Sequence, residues 1–569
     1  MFASRNLIFI SVAALAGACF VLGNLLDPIF YWIMAVPLAL LVVGIRDVSQ
    51  RNHSILRNYP ITAHMRFLLE SIRPEIRQYF LESDTDGTPF SRRKRSIVYQ
   101  RAKGQLDKRP FGTQLDVYGD QFEWLHHSMV PTPPAKEGFR VTVGSSQCTK
   151  PYSLSVFNIS AMSFGALSAP AIQSLNRGAK MGNFAHDTGE GGISKYHREG
   201  GDIIWEIGSG YFGCRTSDGK FWAEEFARNA TQDCVKMIEI KLSQGAKPGH
   251  GGVLPGAKVS AEISAARGVP PGKDCISPSR HSSFSTPIEL MEFIAQLRKL
   301  SGGKPVGFKL CVGHPWEFLG ICKAMLETKV IPDFIVIDGT EGGTGAAPLD
   351  FTDHIGMPLR EGLTFVHNAL IGVGLRDQIK LGCSGKITSA FDMARVMALG
   401  ADWCNSARGF MFALGCIQSQ SCHTDKCPTG VATQDKSRAH AIYVPNKSER
   451  VAQFHASTVK ALAEVVAAAG LNHPSELTPY HFFKRAGGDI KTYAELYPTL
   501  QAGELLSGTR DTRFAAAWAM ASAETFSPTI VMGGAKMPAA KALDPITQRR
   551  PAGQPIIADE SLLPANPAE

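Results

Sequence analysis

The chain has no disulfide framework, no dinucleotide fingerprint and no long block of like charge. Its 12 cysteines are spread over 569 residues, and most, such as Cys234, Cys311 and Cys322, sit singly in apolar runs. That usage suits a reducing compartment, where cysteine serves as core or as metal ligand. No strand–GxGxxG–helix pattern stands out, which argues against a dinucleotide bound in that way. Charged residues make up 19%, and 59 Lys plus Arg against 51 Asp plus Glu leave a mild net charge of +8. That balance does not call for nucleic acid. The basic run Arg92-Arg93-Lys94-Arg95 comes without aromatic interleaving or a nucleic-acid-binding motif. It reads as a solvated face or a lipid-headgroup contact.

Apolar residues (44%) and 55 glycines are plentiful instead. Leu7 to Leu26 is almost wholly apolar and about long enough to span a bilayer. Asn24 to Pro28 gives a short polar turn. Ile29 to Ile45 is a second apolar stretch, with a Pro37 that membrane helices tolerate. Residues 1–46 are therefore expected to form a transmembrane helical hairpin. A cleaved signal peptide fits less well, because a second apolar segment follows at once. Arg5 before the hairpin and Arg46, Arg51 and Arg57 after it put the bulk of the chain on the cytoplasmic side of the inner membrane.

Residues 47–139 read as a helical and irregular linker, with Met65, Leu68, Leu69, Ile72 and Ile76 at helical spacing over 59–82. Pro131 to Pro134 mark a boundary. The main domain is expected over 140–435, and a helical extension over 436–535 with a helix at 448–469. A Pro/Ala-rich tail over 536–569 is expected to be poorly ordered. Eight strand segments punctuate the main domain: Ser153–Ser160, Phe184–Asp187, Met237–Ser243, Cys275–Ser277, Val306–Cys311, Phe334–Asp338, Ile379–Cys383 and Trp403–Ser406. Helical stretches at 286–301, 315–328 and 388–400 separate several of them. The alternation predicts an α/β chain with a (β/α)8 TIM-type barrel, an open doubly wound sheet being the structural alternative.

Small and glycine-rich turns follow these strands, at the end where such a barrel carries its active site. Ser160-Ala-Met162-Ser163 follows the first, where small residues let a planar ring lie close to backbone. Asp187-Thr-Gly189-Glu190 follows the second. Lys241 lies on the third, with Gln244-Gly-Ala-Lys247-Pro-Gly-His250 after it. Gly339-Thr-Glu341-Gly342-Gly343 follows the sixth, Ser384-Gly385-Lys386 the seventh, and Ala407-Arg408-Gly409 the eighth. Glycine turns at the last two strands, leading into helix N-termini, form the usual phosphate cradle. Without a dinucleotide fingerprint, flavin mononucleotide (FMN) fits better than FAD or NAD. Beyond the barrel, Cys416, Cys422 and Cys427-Pro428 are spaced to share one iron–sulfur cluster. Three ligands point to a three-iron cluster, or to a four-iron one with an outside ligand.

The segments Gln244-Gly-Ala-Lys-Pro-Gly, Gly339-Thr-Glu-Gly-Gly-Thr-Gly-Ala and Cys416…Cys422…Cys427-Pro-Thr-Gly-Val-Ala-Thr-Gln resemble the FMN-binding synthase domain of glutamate synthase over about residues 140–470. The resemblance implies an FMN barrel, a 3Fe–4S cluster on Cys416, Cys422 and Cys427, and reductive amination of 2-oxoglutarate to L-glutamate. It implies that Ser160, Met162 and Ser163 border the flavin ring and that Lys241 sits near its pyrimidine edge. Glu190, Gln244 and Lys247 would bind or orient the 2-oxo acid, and Gly342, Gly343, Gly385 and Gly409 would serve the cofactor. His250 stands where the family often has an acidic residue, and Arg280-His281 where it often has a Pro–His–His-like stretch. A glutamine-hydrolysing domain is not expected before residue 140. Ammonia is therefore expected free or from a separate amidotransferase subunit, and electrons from a donor protein, reductase subunit or quinol. Two rival readings keep the cofactors: a membrane-bound FMN/Fe–S dehydrogenase of another amino or hydroxy acid, and a non-enzymatic redox or electron-transfer protein.

Overall fold

The computed structural model describes residues 7–254 and 256–529, so the expected tail over 536–569 lies outside the described residues. The described chain divides into two compact units, residues 7–88 and 89–529.

In the first unit, α1 (Leu7–Leu25) and α2 (Ile29–Ser49) are each long and apolar enough to cross a membrane and pack on one another. Their apolar side chains face outward, as with Trp32 at 82% exposure. A soluble core helix would bury such groups. A further helix, α3 (Ala63–Ile76), continues into a wider turn over Arg77–Leu81.

In the second unit, eight parallel strands among the described residues close into a barrel. They are β1 (Phe157–Ile159), β2 (Ala185–Asp187), β3 (Asp202–Ile207), β4 (Val235–Lys241), β5 (Val306–Leu310), β6 (Phe334–Asp338), β7 (Lys380–Ser384) and β8 (Trp403–Ser406). Each pairs with the next, and β8 returns to β1. The helix over Pro287–Leu300 begins at a capping box, with Glu289 N–H donating to Thr286 Oγ1 at 3.1 Å and Thr286 N–H to Glu289 Oε2 at 3.2 Å. The helix Val444–Ala468 lies across Ala169–Gly182 at a close approach. A Cβ on Gly178 would stand 2.4 Å from Val451 Cγ1, so only glycine fits there.

Three expectations need correction. Cys275–Ser277 is not a barrel strand. Cys275–Ile276 forms a short antiparallel pair with Val253–Leu254 inside the long β4–β5 connection. The true third strand is Asp202–Ile207. Its connection from β2 carries only the 3-10 turn Lys195–His197, so the helix that usually separates parallel strands is not there to mark it. The first expected strand is two: Tyr152–Ser155 pairs antiparallel with Arg140–Val143, and only Phe157–Ile159 enters the barrel. The C-terminal extension also contains a hairpin, Phe482–Ala486 with Asp489–Thr492. It turns on Gly487 and Gly488 at φ 62° and 89°.

Candidate active site

The C-terminal strand ends open into one cleft. Ser160, Gln244, Gly342, Gly343 and Gly385 line it together with Lys309, Lys386, Asn405, Arg408 and Phe90. Its loops are held by strand-end carboxylates and by glycine. Asp338 Oδ2 accepts from Gly245 N–H at 2.8 Å, and its Oδ1 accepts from Ser384 Oγ at 2.5 Å. A Cβ on Gly245 would lie 1.9 Å from Gly339 O, which explains the glycine after Gln244. Lys386 holds a left-handed backbone, φ 51°, of the kind stored at ligand sites. Asn405 Oδ1 is buried at the cleft and has no partner among the described residues. A larger cavity of about 490 Å³ lies at the other end of the barrel, lined by Arg140, Lys380 and Asp402 among others. It contains none of the sequence-predicted site residues.

Beside the cleft, Glu190, Lys241 and Gln244 meet. Lys241 Nζ lies 2.5 Å from Glu190 Oε2 and 3.2 Å from Gln244 Oε1. Burial works to raise the Glu190 pKa, but the Lys241 ammonium outweighs it, with Arg267 and Lys247 adding, and the carboxyl falls to about 2. Lys247 is held below the ordinary lysine value, first by burial, with Lys241 repelling and Glu190 opposing. One carboxylate, Glu190⁻, thus feels three cations, Lys241, Arg267 and Lys247, which leaves a local excess of positive charge. His281 Nε2 donates to Lys241 O at 2.9 Å while its Nδ1 faces Tyr211 OH at 3.2 Å. Burial lowers the His281 pKa to about 4, so it props the end of β4 as a neutral ring.

Met162 and Ser163 do not line the cleft. They support the turn after β2, where Gly189 (φ 62°) would place a Cβ 2.8 Å from Ser163 N. Gly409 also lies off the cleft, in the helix Arg408–Leu414, close to Ser406 and Phe454.

Lys309 is absent from the sequence-predicted site, yet it lines the cleft and anchors the barrel interior. Its ammonium contacts Glu206 Oε2, lies 3.0 Å from Glu239 Oε1 and 3.9 Å from Asp187 Oδ2. All four side chains are buried. Burial opposes the Lys309 charge, but Glu206, Glu239 and Asp187 outweigh it and hold the lysine well above its usual value. Burial foremost, and then Glu239, pushes Asp187 well up, and burial foremost also pushes Glu239 up. The carboxylate oxygens of Asp187, Glu206 and Glu239 lie within 4.8 Å of one another, as a metal would need. The lysine already stands there as the cation. The available signal was a charged residue within Val306-Gly-Phe-Lys-Leu, since buried parallel strands are otherwise apolar.

Cys416, Cys422 and Cys427 lie on one loop. Gln418, Gln420 and Asp425 within it all adopt positive φ, 59°, 60° and 64°. Tyr99 OH donates to Cys416 O at 2.6 Å. Burial raises the Cys416 thiol to about 11, and both other cysteines add to the rise. Burial also works to raise Cys427, but the Thr429 hydroxyl and the N–H groups of Ala432, Thr429 and Val431 outweigh it and pull the thiol down. Arg408 links this loop to the cleft. Its Nη1 is 3.9 Å from Cys422 Sγ and its Nη2 donates to Thr344 O at 2.7 Å.

The chain is thus a closed α/β barrel with a cleft and these charged groups at the C-terminal ends of its strands. Residues 130–472 match the conserved region in glutamate synthase. The chain belongs to the glutamate synthase family, oxidoreductases acting on the CH–NH2 group of donors. It is 38% identical over 501 residues to the glutamate synthase large subunit-like protein YerD of Bacillus subtilis, covering 80% of this chain and 95% of that one. It is 36% identical over 316 residues to the archaeal glutamate synthase (NADPH) of Methanocaldococcus jannaschii, covering 55% of this chain and 59% of that enzyme. Thus it spans less than two thirds of that relative's length. A solved flavocytochrome b2 mutant with benzoylformate overlaps at a TM-score of 0.40 and 12% identity, over 74% of this chain and 85% of that one.

Proposed function

We propose that this chain is a membrane-anchored glutamate synthase-type enzyme that forms L-glutamate from 2-oxoglutarate and ammonia. The observation that carries the reading is Arg408, which lines the barrel cleft and also approaches the sulfur of Cys422. One residue thus joins a place for FMN to a place for an iron–sulfur cluster.

The residues present fit both groups. Ser160, Gly342, Gly343, Gly385 and Lys309 would hold FMN, with the unpartnered Asn405 Oδ1 open to a ligand donor. Cys416, Cys422 and Cys427 would hold a 3Fe–4S cluster, with N–H donors toward Cys427 of the kind that tune such centres. When bound, the two groups supply one-electron entry and hydride delivery to the imine carbon.

The chain's own side chains do the rest. The positive excess around Lys241 and Lys247 attracts a dicarboxylate 2-oxo acid. Lys247, half-buried and destabilised as a cation by that burial, gains most from a carboxylate partner. Gln244 offers an amide to the same substrate while its oxygen stays on Lys241. Glu190, ionised at neutral pH, orients Lys241. The apolar helices α1 and α2 support a membrane position, and Arg46, Arg51 and Arg57 after them favour a barrel on the cytoplasmic side, with a protein or quinol as the donor.

Purified full-length chain, supplied anaerobically with 2-oxoglutarate, ¹⁵N-ammonium and a reduced ferredoxin, is expected to release ¹⁵N-glutamate. Cofactor reduction by another amino or hydroxy acid, with no glutamate formed, would replace this function with that of a membrane-bound dehydrogenase.

A further inference from the structure

Residues 63–81 carry an apolar stripe that their own unit does not cover. Met65, Leu68, Leu69, Ile72 and Ile76 recur at helical spacing along α3, and Tyr79, Phe80 and Leu81 extend the apolar surface. All are exposed, Phe80 at 82%. Another side of the helix turns inward: Ala63 is buried, and Phe67 meets the His53 ring at 6.1 Å. Arg66, Arg73 and Arg77 flank the stripe at the same period.

The start of this helix is pinned to the end of α2. Asp47, buried in the last turn of α2, accepts from Ile61 N–H at 2.9 Å. His64 Nε2 lies 2.9 and 3.0 Å from its two carboxylate oxygens. The 21 residues of α2 rise about 30 Å, the thickness of a hydrocarbon core. The clamp therefore falls where that helix would leave the bilayer.

We propose that α3 and the turn after it lie in the membrane interface as an in-plane third anchor. Their apolar stripe sits at the acyl boundary and the flanking arginines among anionic headgroups. Continuity with the hairpin favours lipid over a protein partner as the occupant, and the proposal rests on α1 and α2 spanning the membrane.

The test uses the full chain in nanodiscs, with a photoreactive benzoylphenylalanine replacing Leu69, Ile72, Glu70 or Val36 one at a time. Leu69 and Ile72 are expected to give phospholipid adducts at least about fivefold above Glu70, and more with phosphatidylglycerol present than with phosphatidylcholine alone. Adducts to protein, or no lipid adduct at Leu69 and Ile72 while Val36 labels lipid, would overturn the interfacial helix alone. Absence of lipid adducts at Val36 would remove the hairpin reading and this proposal with it.

Discussion

Lys309→Met leaves three buried carboxylates around an apolar side chain. In the native barrel the ammonium contacts Glu206 and lies 3.0 Å from Glu239 and 3.9 Å from Asp187. Removing one partner of a buried ion pair costs about 3–5 kcal/mol, a large part of the roughly 5–15 kcal/mol that holds an ordinary domain together. With an unfolding entropy of about 2.1 cal/mol/K per residue, a unit the size of residues 89–529 should lose about 3–5 °C in Tm.

The deficit should depend on pH with a definite sign. Asp187 and Glu239 are already raised in the folded chain. The stability from their extra bound protons is full below the ordinary carboxylate value and is lost as pH rises through the folded value. Without the ammonium those folded values climb further, so the gap to the parent chain should widen from pH 5 to pH 8. Thermal unfolding of the full chain in detergent at both pH values measures this. Adding Glu206→Gln should recover about 1–2 kcal/mol, because one uncompensated charge is gone. A variant that melts with the parent at pH 8, or a gap that narrows as pH rises, would refute the charge-network argument.

Other substitutions probe the site. Cys422→Ser should abolish cluster iron and visible cluster absorption while flavin remains; unchanged iron content would contradict the ligand assignment. Glu190→Gln frees Lys241 from its carboxylate and should lower kcat by about 10²-fold through misplacement. Because the Glu190 pKa sits at about 2, its charge-pair contribution is present above the ordinary carboxylate value and lost only as pH falls through about 2. The acid limb of the parent pH–rate profile should therefore lie elsewhere, and an acid limb near pH 5 that vanishes in Glu190→Gln would contradict this. Lys247→Met should raise the 2-oxoglutarate KM at least tenfold with a smaller change in kcat, and an unchanged KM would remove its role as the carboxylate grip.

The sequence makes the barrel legible where punctuation is regular. The helices over Pro287–Leu300 and Pro315–Thr328 fall on the expected stretches 286–301 and 315–328, and each begins at a proline. Asp202–Ile207 escapes because its neighbour in the chain is a turn and not a helix. Cys275–Ile276 looks like a strand but lies on an excursion of 64 residues between β4 and β5. Within the site, Glu190, Lys241 and Gln244 do converge, because each follows or ends a strand. Lys309 is hidden mid-strand, and its importance depends on carboxylates from β2, β3 and β4, which only barrel closure brings together. Arg408 lies in the glycine turn after β8, but its second contact, to Cys422, depends on how the cysteine loop folds back.

The most direct measurement is a flavin, iron and acid-labile sulfide analysis of the anaerobically purified full chain, with its visible spectrum. Bound FMN together with iron and sulfide, the iron lost in Cys422→Ser and the flavin kept, is the expected result. Colourless protein holding neither group would contradict the claim that Arg408 stands between a flavin cleft and a metal–sulfur loop.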